Sequence, residues 1–508
     1  MTTIPTDSVQ TLQELRSFGV TQLARDLEKG WSQSTDPTSG ITGYDLLPEV
    51  VNITPSLSPL RNSIPRVAGG HGIQANWRAV TGINTGMISA GVSEGHRGGQ
   101  IVETVADYYA AYRSIGLENA VTFEADFAAV GLADAKALAT RNLLTAVMIQ
   151  EENIILGGNS SLPLGKTPKP TLKASSTGGN LAAQTLSVIC VALTYDGYWA
   201  VSGFNNGMSG QIPDMEDIAI PTTITRSNMD GSSDSYNGGS AEKSTKTTVT
   251  VSGTESSVVA SVSPTLGAVG YAWFWGASGS EKLGAITSTS SVTITDTATG
   301  TQTAASLPAS DCSTNALVFD GLLTQTCKPE FGGYVAQLGD SDGVAAPLSS
   351  DGAAGITEID TALHWFWNNY RISPGVIYMS AQELVNINRK VIASGGAPLI
   401  RYAIDSANPQ PVQAGLSVGS YLNKFTNQQI SLQVHPTMPP GTMLLRPTEI
   451  PYPLANVINV LQIRTRQDYR QYEWPLRSRK HEYGIYTDEV LQNFFPAAFG
   501  VITNIANG

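Results

Sequence analysis

A chain of 508 residues, 41% hydrophobic and 14% charged, has length for more than one buried core, since single cores stop growing near ~250 to 300 residues. Its 50 glycines and 27 prolines exclude an all-helical bundle, and the composition as a whole excludes collagen, a coiled coil and global disorder. A formal net charge of -12 leaves no overall basic field that would draw the chain on to nucleic acid, while leaving room for a local basic patch.

Three cysteines, Cys190, Cys312 and Cys327, are an odd number without CxxC spacing, which argues against a disulfide framework and a zinc ribbon and for a reducing compartment. The N-terminus lacks a basic stretch followed by an apolar one, and nowhere do ~18 apolar residues run uninterrupted. The expectation is a chain neither exported by a classical signal nor embedded in a membrane.

Residues 7–30 carry a helical stripe of Leu12, Leu15, Val20, Leu23 and Leu27 that ends near Gly30. The stretch after it reads as an extended arm, which gains order by lying on the rest of the domain or on a neighbouring subunit. From 72 to 113 the period changes to two: Ile73, Ala75, Trp77 and Ala79 alternate with polar residues, and VETVADYYAAYR follows. Two strands joined by the glycine-rich tip MISAGVSEGHRGGQ are predicted, a long hairpin projecting from the body. Residues 122–156 predict a helix, with Ala137, Leu144, Met148 and Ile155 on one face and Arg141, Glu151 and Glu152 elsewhere, stopped by Gly157 and Gly158.

Roughly half of residues 221–310 are Ser, Thr or Gly, and the short runs Thr247–Val251, Ser257–Val262, Tyr271–Trp275 and Ser291–Thr295 predict an all-β insert. Tyr271, Trp273 and Trp275 share one strand face, as in a small sandwich of the immunoglobulin kind whose central Trp fills the space between sheets. Beyond about 317 a mixed pattern returns. Thr357 and Asp360 stand in capping-box spacing before Leu363, Phe366 and Tyr370; Val376–Met379 reads as a buried strand; Ser380 and Glu383 open a helix with Leu384, Ile387 and Val391 that closes at Gly395 and Gly396. The tail from Ile430 to Ile505 is mostly strand-like.

Several motifs suggest chemistry and fail on context. Gly91, Ser93 and Gly95 match GxSxG, but a nucleophile elbow needs a strand, a sharp turn and a helix, whereas Ser93 falls in a hairpin tip. Gly165, Lys166 and Thr167 resemble the end of a phosphate loop, yet Ser160 stands where a glycine is required and Pro168 and Pro170 where a helix should begin. Asp340, Asp342 and Gly343 lack the remaining calcium ligands. His71, His96, His364, His435 and His481 have no metal-ligand spacing, so no metal and no cofactor is assigned. Trp365, Phe366 and Trp367 read as packing. One basic cluster stands out: Arg464, Arg466, Arg470, Arg477, Arg479 and Lys480 place 6 of the 30 basic residues within 17 positions. They suit phosphates inside a nucleic-acid container, acidic residues of neighbouring subunits, or a solvated strand face.

The order of parts resembles the major capsid proteins of tailed bacteriophages, the Hong Kong-97-type fold. The resemblance is carried by FEADFAAVGLADAKALATRNLLTAVMIQEENIILGG as a spine helix, GITEIDTALHWFWNNYRISPGVIYMSAQEL as an axial domain, and VLQIRTRQDYRQYEWPLRSRKHEYGIYTDEVLQNFFPAAFGVI as final strands. It implies an α+β capsid fold with an N-terminal arm (1–60), an extended loop hairpin (61–121), the spine helix of a peripheral domain (122–165), an immunoglobulin-like sandwich insertion (166–316), an axial domain (317–440) and C-terminal strands (441–508). It further implies a non-enzymatic, self-assembling subunit whose pentamers and hexamers close an icosahedral shell around double-stranded DNA, with scaffold, portal and cement proteins as partners and the virion as location. Between Lys29 and Lys136 there is no lysine, which speaks against the isopeptide cross-link some relatives make through the extended loop. The ~50 residues ahead of the hairpin are short for a scaffolding segment. The alternatives are an encapsulin-like cargo compartment, a β-sandwich adhesin or carbohydrate-binding module, which predicts an export signal, and a serine hydrolase acting through Ser93.

Overall fold

The computed structural model describes residues 58–83, 89–129, 134–202, 214–307, 309–353, 355–391, 418–452 and 455–508. The helix expected over 7–30 and the arm after it lie outside the described residues, as do Met87 and Ile88 of the hairpin tip and the helix stop at Gly395 and Gly396. The described residues divide into two compact units, 123–138 and the remainder.

The chain opens with α1 (Pro59–Ser63), β1 (Arg66–Ala68) and the strands β2 (Gln74–Ile83), β3 (Glu103–Ala111) and β4 (Arg113–Thr122). Two helices follow where one was expected, α2 (Phe123–Ala128) and α3 (Ala135–Gly157). The second has its own start signal, because the Asp134 carboxylate accepts the Ala137 N–H at 2.9 Å in the manner of an N-cap. At 23 residues, α3 is about 35 Å long from a rise of 1.5 Å per residue.

The Ser/Thr-rich stretch then folds as β5 (Thr171–Ser175), β6 (Gln184–Leu193), α4 (Tyr195–Val201), β7 (Thr223–Ser227), β8 (Ser233–Asn237), β9 (Thr247–Val251), β10 (Ser257–Ser261), β11 (Gly270–Gly276), β12 (Lys282–Thr287) and β13 (Ser291–Ile294). The remainder comprises α5 (Leu322–Cys327), β14 (Tyr334–Gln337), α6 (Thr357–Tyr370), β15 (Val376–Met379), α7 (Ala381–Val391), β16 (Ser420–Leu422), β17 (Gln429–Val434), β18 (Met443–Arg446), β19 (Leu461–Glu473), β20 (Lys480–Asn493) and β21 (Gly500–Thr503). The class is α+β, as expected.

Two sheets, β13-β10-β5 and β12-β11-β6-β9, face each other across one core. Trp273 is fully buried there, opposite Cys190 in the β11–β6 register, with Tyr271 and Trp275 on the same face. The other face of this second sheet is also covered: Tyr198 of α4 packs on Gly270, on the face of Ala272 and Phe274. Double coverage explains why β6 runs apolar without alternation. The chain enters and leaves this part side by side, since Asn315 N–H donates to Asn159 O at 2.7 Å and Leu164 N–H to Ser313 Oγ at 2.9 Å.

A six-stranded sheet, β14-β21-β18-β15-β17-β16, carries α6 and α7 on one face. Ile359, Leu363 and Phe366 of α6 and Ile387 of α7 are fully buried against Ile377, Met379, Ile430 and Ile502. The expected capping box at Thr357 does not form. Ile356 is the N-cap without a side-chain bond, because Asp360 is engaged by the Tyr421 hydroxyl at 2.7 Å and Lys424 Nζ at 2.6 Å. Ser380 does cap α7, accepting the Gln382 N–H at 3.2 Å, while Glu383 bonds to Ser380 Oγ and accepts the Gly441 N–H.

A third sheet has the order β1-β19-β20-β4. Of the faces expected for α3, Ile155 is buried and Arg141 exposed as expected, but Leu144 is exposed, whereas Glu151 and Glu152 are buried. Buried carboxylates require partners, and these have them. Glu152 accepts the Leu60 and Arg61 N–H groups at 2.8 and 2.6 Å, so it caps α1 from across the fold, and it also accepts His435 Nε2–H at 2.7 Å. The Thr437 N–H points at His435 Nδ1, which fixes Nδ1 as the acceptor and Nε2 as the protonated nitrogen. Glu151 meets Arg61, Arg66 and the Tyr469 hydroxyl.

Candidate assembly interface

Among the described residues, β2 and β3 form an antiparallel ribbon of two strands. Its base is anchored by aromatic rings: Trp77 stacks on Tyr108 at 5.9 Å, Trp77 meets Phe494 edge-on, and Tyr108 meets Phe331. A cavity of about 340 Å³ lies beneath, lined by Trp77, Tyr108 and Phe331 with Lys328 and Asp320. The opposite face carries the cross-strand pairs Asn76–Tyr109, Arg78–Asp107 and Val80–Val105. Tyr109 is 73% exposed, Val80 58% and Val105 53%. Ile83, Ile101 and Val102, further out, are likewise exposed. A two-stranded ribbon has no core of its own, and a run of exposed branched residues on such a strand pair is a surface for association.

The six basic residues lie on the hairpin β19–β20, but not as one patch. Register shifts after Thr465 and after Gln467 each insert one extra residue in β19, and each changes the face to which following side chains point. Arg464 and Arg466 sit at the hairpin base. Arg464 donates to Gly69 O at 3.3 Å; Arg466 pairs with Asp488, donates to Gly72 O at 2.7 Å and lies over the Tyr112 ring at 5.0 Å. Arg470 lies over Tyr472 at 5.3 Å, and Tyr472 stacks on Trp474. The Trp474 indole and the Tyr486 hydroxyl both donate to Glu118. Lys480 pairs with Glu482 at 2.7 Å. Arg477 and Arg479 are exposed at the tip beside Leu476. Arg477 also acts on Asp230 of the β7–β8 turn, whose carboxyl is held below its usual range chiefly by the Ser232 hydroxyl and N–H. The cluster therefore splits into a base on the paired strands, where Arg464 and Arg466 bond to the chain segment at Gly69 and Gly72, and a tip, where Arg477 and Arg479 lie in the turn between β19 and β20.

The other motifs fall as structural parts. Ser93 lies outside any strand or helix, its carbonyl accepting the His96 N–H at 3.1 Å in a turn. Lys166 pairs with Glu242, and the buried Thr167 hydroxyl accepts the Ala192 N–H. Asp340 accepts the N–H groups of Asp342 and Val344, and Asp342 pairs with Lys173. Phe366 is core, while Trp365 packs on Tyr334 and Tyr370. Among the described residues no helix is long and apolar enough to cross a membrane.

No protein-family model matches the chain, and no curated protein does. Similar solved structures include the capsid of Myoviridae phage XM1, at 9% identity and TM-score 0.39, covering 91% of this chain and 97% of that one. The capsid of the native GTA particle is 8% identical at TM-score 0.38, covering 95% and 98% respectively. The capsid of cyanophage P-SCSP1u is 6% identical at TM-score 0.37, covering 94% and 100%.

Proposed function

We propose that the chain is the major capsid protein of a tailed bacteriophage, assembling through pentamers and hexamers into an icosahedral shell around double-stranded DNA. The ribbon β2–β3 carries this reading. Its outward face is exposed among the described residues, where it presents Val80, Val105 and Tyr109 in register, and a second copy of the chain supplies the missing layer through a heterologous contact that repeats and closes. Residues 1–60 are then the arm, 61–121 the extended loop, 122–165 the spine, 166–316 an immunoglobulin-like insertion displayed on the outside, 317–440 the axial domain and 441–508 the closing strands. The exposed hairpin tip with Arg477 and Arg479 is the part of the basic cluster offered to a neighbouring subunit or to packaged DNA. Scaffold, portal and cement proteins are its further partners, and assembly in the bacterial cytoplasm ends in the virion. The role is structural, with no reaction assigned.

The test is expression of the full chain, sizing chromatography and negative-stain electron microscopy of the largest fraction, with its 260/280 nm absorbance ratio. Closed shells or ring-shaped capsomers support the reading, and a nucleic-acid ratio in closed shells separates genome from protein cargo. A chain that stays monomeric with crowding agents and with its scaffold supplied refutes it.

A further inference from the structure

The root of the ribbon meets the third sheet at a small polar pocket of about 210 Å³. Beside Ala75 it is lined by His71 of the loop between β1 and β2, Gln74 and Asn76 of β2, Tyr112, Arg464 of β19 and Gln492 of β20. None of these is acidic, in a chain whose formal net charge is -12. The bonds already made engage the acceptors and leave donors. Gln74 Nε2–H donates to Asn76 Oδ1 at 2.9 Å and Gln462 Nε2–H to Gln492 Oε1 at 2.7 Å, so the side-chain NH2 groups of Asn76 and Gln492 remain. The Arg464 guanidinium gives one N–H to Gly69 O at 3.3 Å and pairs with no carboxylate among the described residues, unlike Arg466, which takes Asp488. Tyr112 is only 5% exposed and its ring is held beneath Arg466, yet its hydroxyl bonds to nothing among the described residues. That hydroxyl abuts Gly70, where a Cβ would lie 2.5 Å from it.

We propose that this pocket is a phosphate site, which takes inorganic phosphate or the phosphate of a small monoester and thereby ties the root of the ribbon to the β1-β19-β20-β4 sheet. Water answers free donors but not charge, and a half-buried guanidinium without a counter-ion draws an anion. A phosphoryl group fits better than a carboxylate because it presents three strong acceptor oxygens, and the donors here come from β2, from the residue between β3 and β4, from β19 and from β20. Arg464 meets two of those oxygens with its planar fork; the Tyr112 hydroxyl and the Asn76 and Gln492 amides serve the rest. A buried hydroxyl left without a partner is costly, so the ion also answers the unmet bond at Tyr112. Because its ligands belong to the ribbon on one side and to the sheet on the other, the bound ion cross-links the two. The proposal concerns the single chain and stands whether or not shells form.

Isothermal titration calorimetry of the full chain with inorganic phosphate, at fixed ionic strength and with all samples in one assembly state, tests it. The wild type should bind phosphate saturably, and Arg464→Gln should not. Tyr112→Phe, which removes only the unbonded hydroxyl, should weaken binding about tenfold or more, as the loss of one hydrogen bond to a charged group requires, while its thermal midpoint without phosphate stays at or above that of the wild type. No saturable binding to the wild type, or equal affinity in the wild type and Tyr112→Phe, overturns the proposal, so the test holds even where Arg464→Gln does not fold. Acetate that binds as well as phosphate overturns the choice of phosphate over carboxylate. Adenosine monophosphate then separates the two sources: binding that Tyr112→Phe weakens in the same way assigns the site to monoesters, and no binding assigns it to the free ion.

Discussion

Replacing Val80 and Val105 together by Thr asks whether the ribbon is an interface. The two face each other across β2 and β3 and are each more than half exposed. Thr keeps the branched Cβ and so the strand preference, and exposed substitutions of this kind move folding stability within about 0.5 kcal/mol. If a neighbouring copy covers the pair, two hydroxyls are buried in place of two methyls. An unpaired buried hydroxyl costs roughly 1 to 3 kcal/mol, so each ribbon contact loses at least about 2 kcal/mol, about 30-fold in its association constant. Assembly repeats that loss at every contact. The assay is the concentration at which shells or capsomers appear by light scattering and sedimentation, alongside the thermal midpoint of the unassembled chain. The expected result is a raised assembly threshold at an unchanged midpoint. Equal thresholds for variant and wild type refute the interface; a lowered midpoint shows that the pair packs within the chain.

Glu151→Ala leaves Arg61 and Arg66 short of a buried partner and should cost about 3 to 5 kcal/mol, read as a lowered urea midpoint; a loss under about 1 kcal/mol contradicts the pairing of Glu151 with the two guanidiniums. Lys424 bridges Asp351 and Asp360, and its hydrogen bond, followed by the N–H groups of Ala353 and Gly355, holds the Asp351 carboxyl down to about 2. A lowered carboxyl brings stability that is present above its ordinary range and lost as pH falls through about 2. Lys424→Ala should therefore melt earlier than the wild type at neutral pH, with the gap closing towards acid; a gap that stays constant with pH contradicts it. If the hairpin tip meets DNA, Arg477→Ala should lower the slope of log affinity against log salt by about 0.9. Arg466→Ala should leave that slope alone because its guanidinium is held by Asp488 and Gly72, and equal effects would merge the base and tip of the cluster.

Strands whose alternation or turn signals are local were legible. Val376–Met379 and Thr247–Val251 were placed with their observed ends, and the Trp273 face was placed in the core. What stayed hidden depends on partners far along the chain. Glu151 reads as a solvent-facing residue of a helix until Arg61, Arg66 and Tyr469 arrive from 90, 85 and 318 positions away. Asp360 fits a capping box by spacing, yet Tyr421 and Lys424 claim it. The strand β6 has no period to detect, since both its faces are covered. Among the candidate site residues, the spacing of the six cations falls on one hairpin, but partners far along the chain, Gly69 and Gly72 for Arg464 and Arg466, set the base apart from the turn that holds Arg477 and Arg479.

The side-by-side segments 159–164 and 313–315 amount to a socket. Because the chain departs and returns within one hydrogen bond, whatever is threaded between those points adds no strain to the sheets below, however long it is. The present occupant is also seated laterally, through Lys173 and Ser261 on Asp342 and through Ser290 on Asn504, so it rides as a fixed block and not as a tassel. A foreign domain with adjacent termini, spliced in at the same place, would inherit the tether but not that seat, and would sample orientations that the native block is denied.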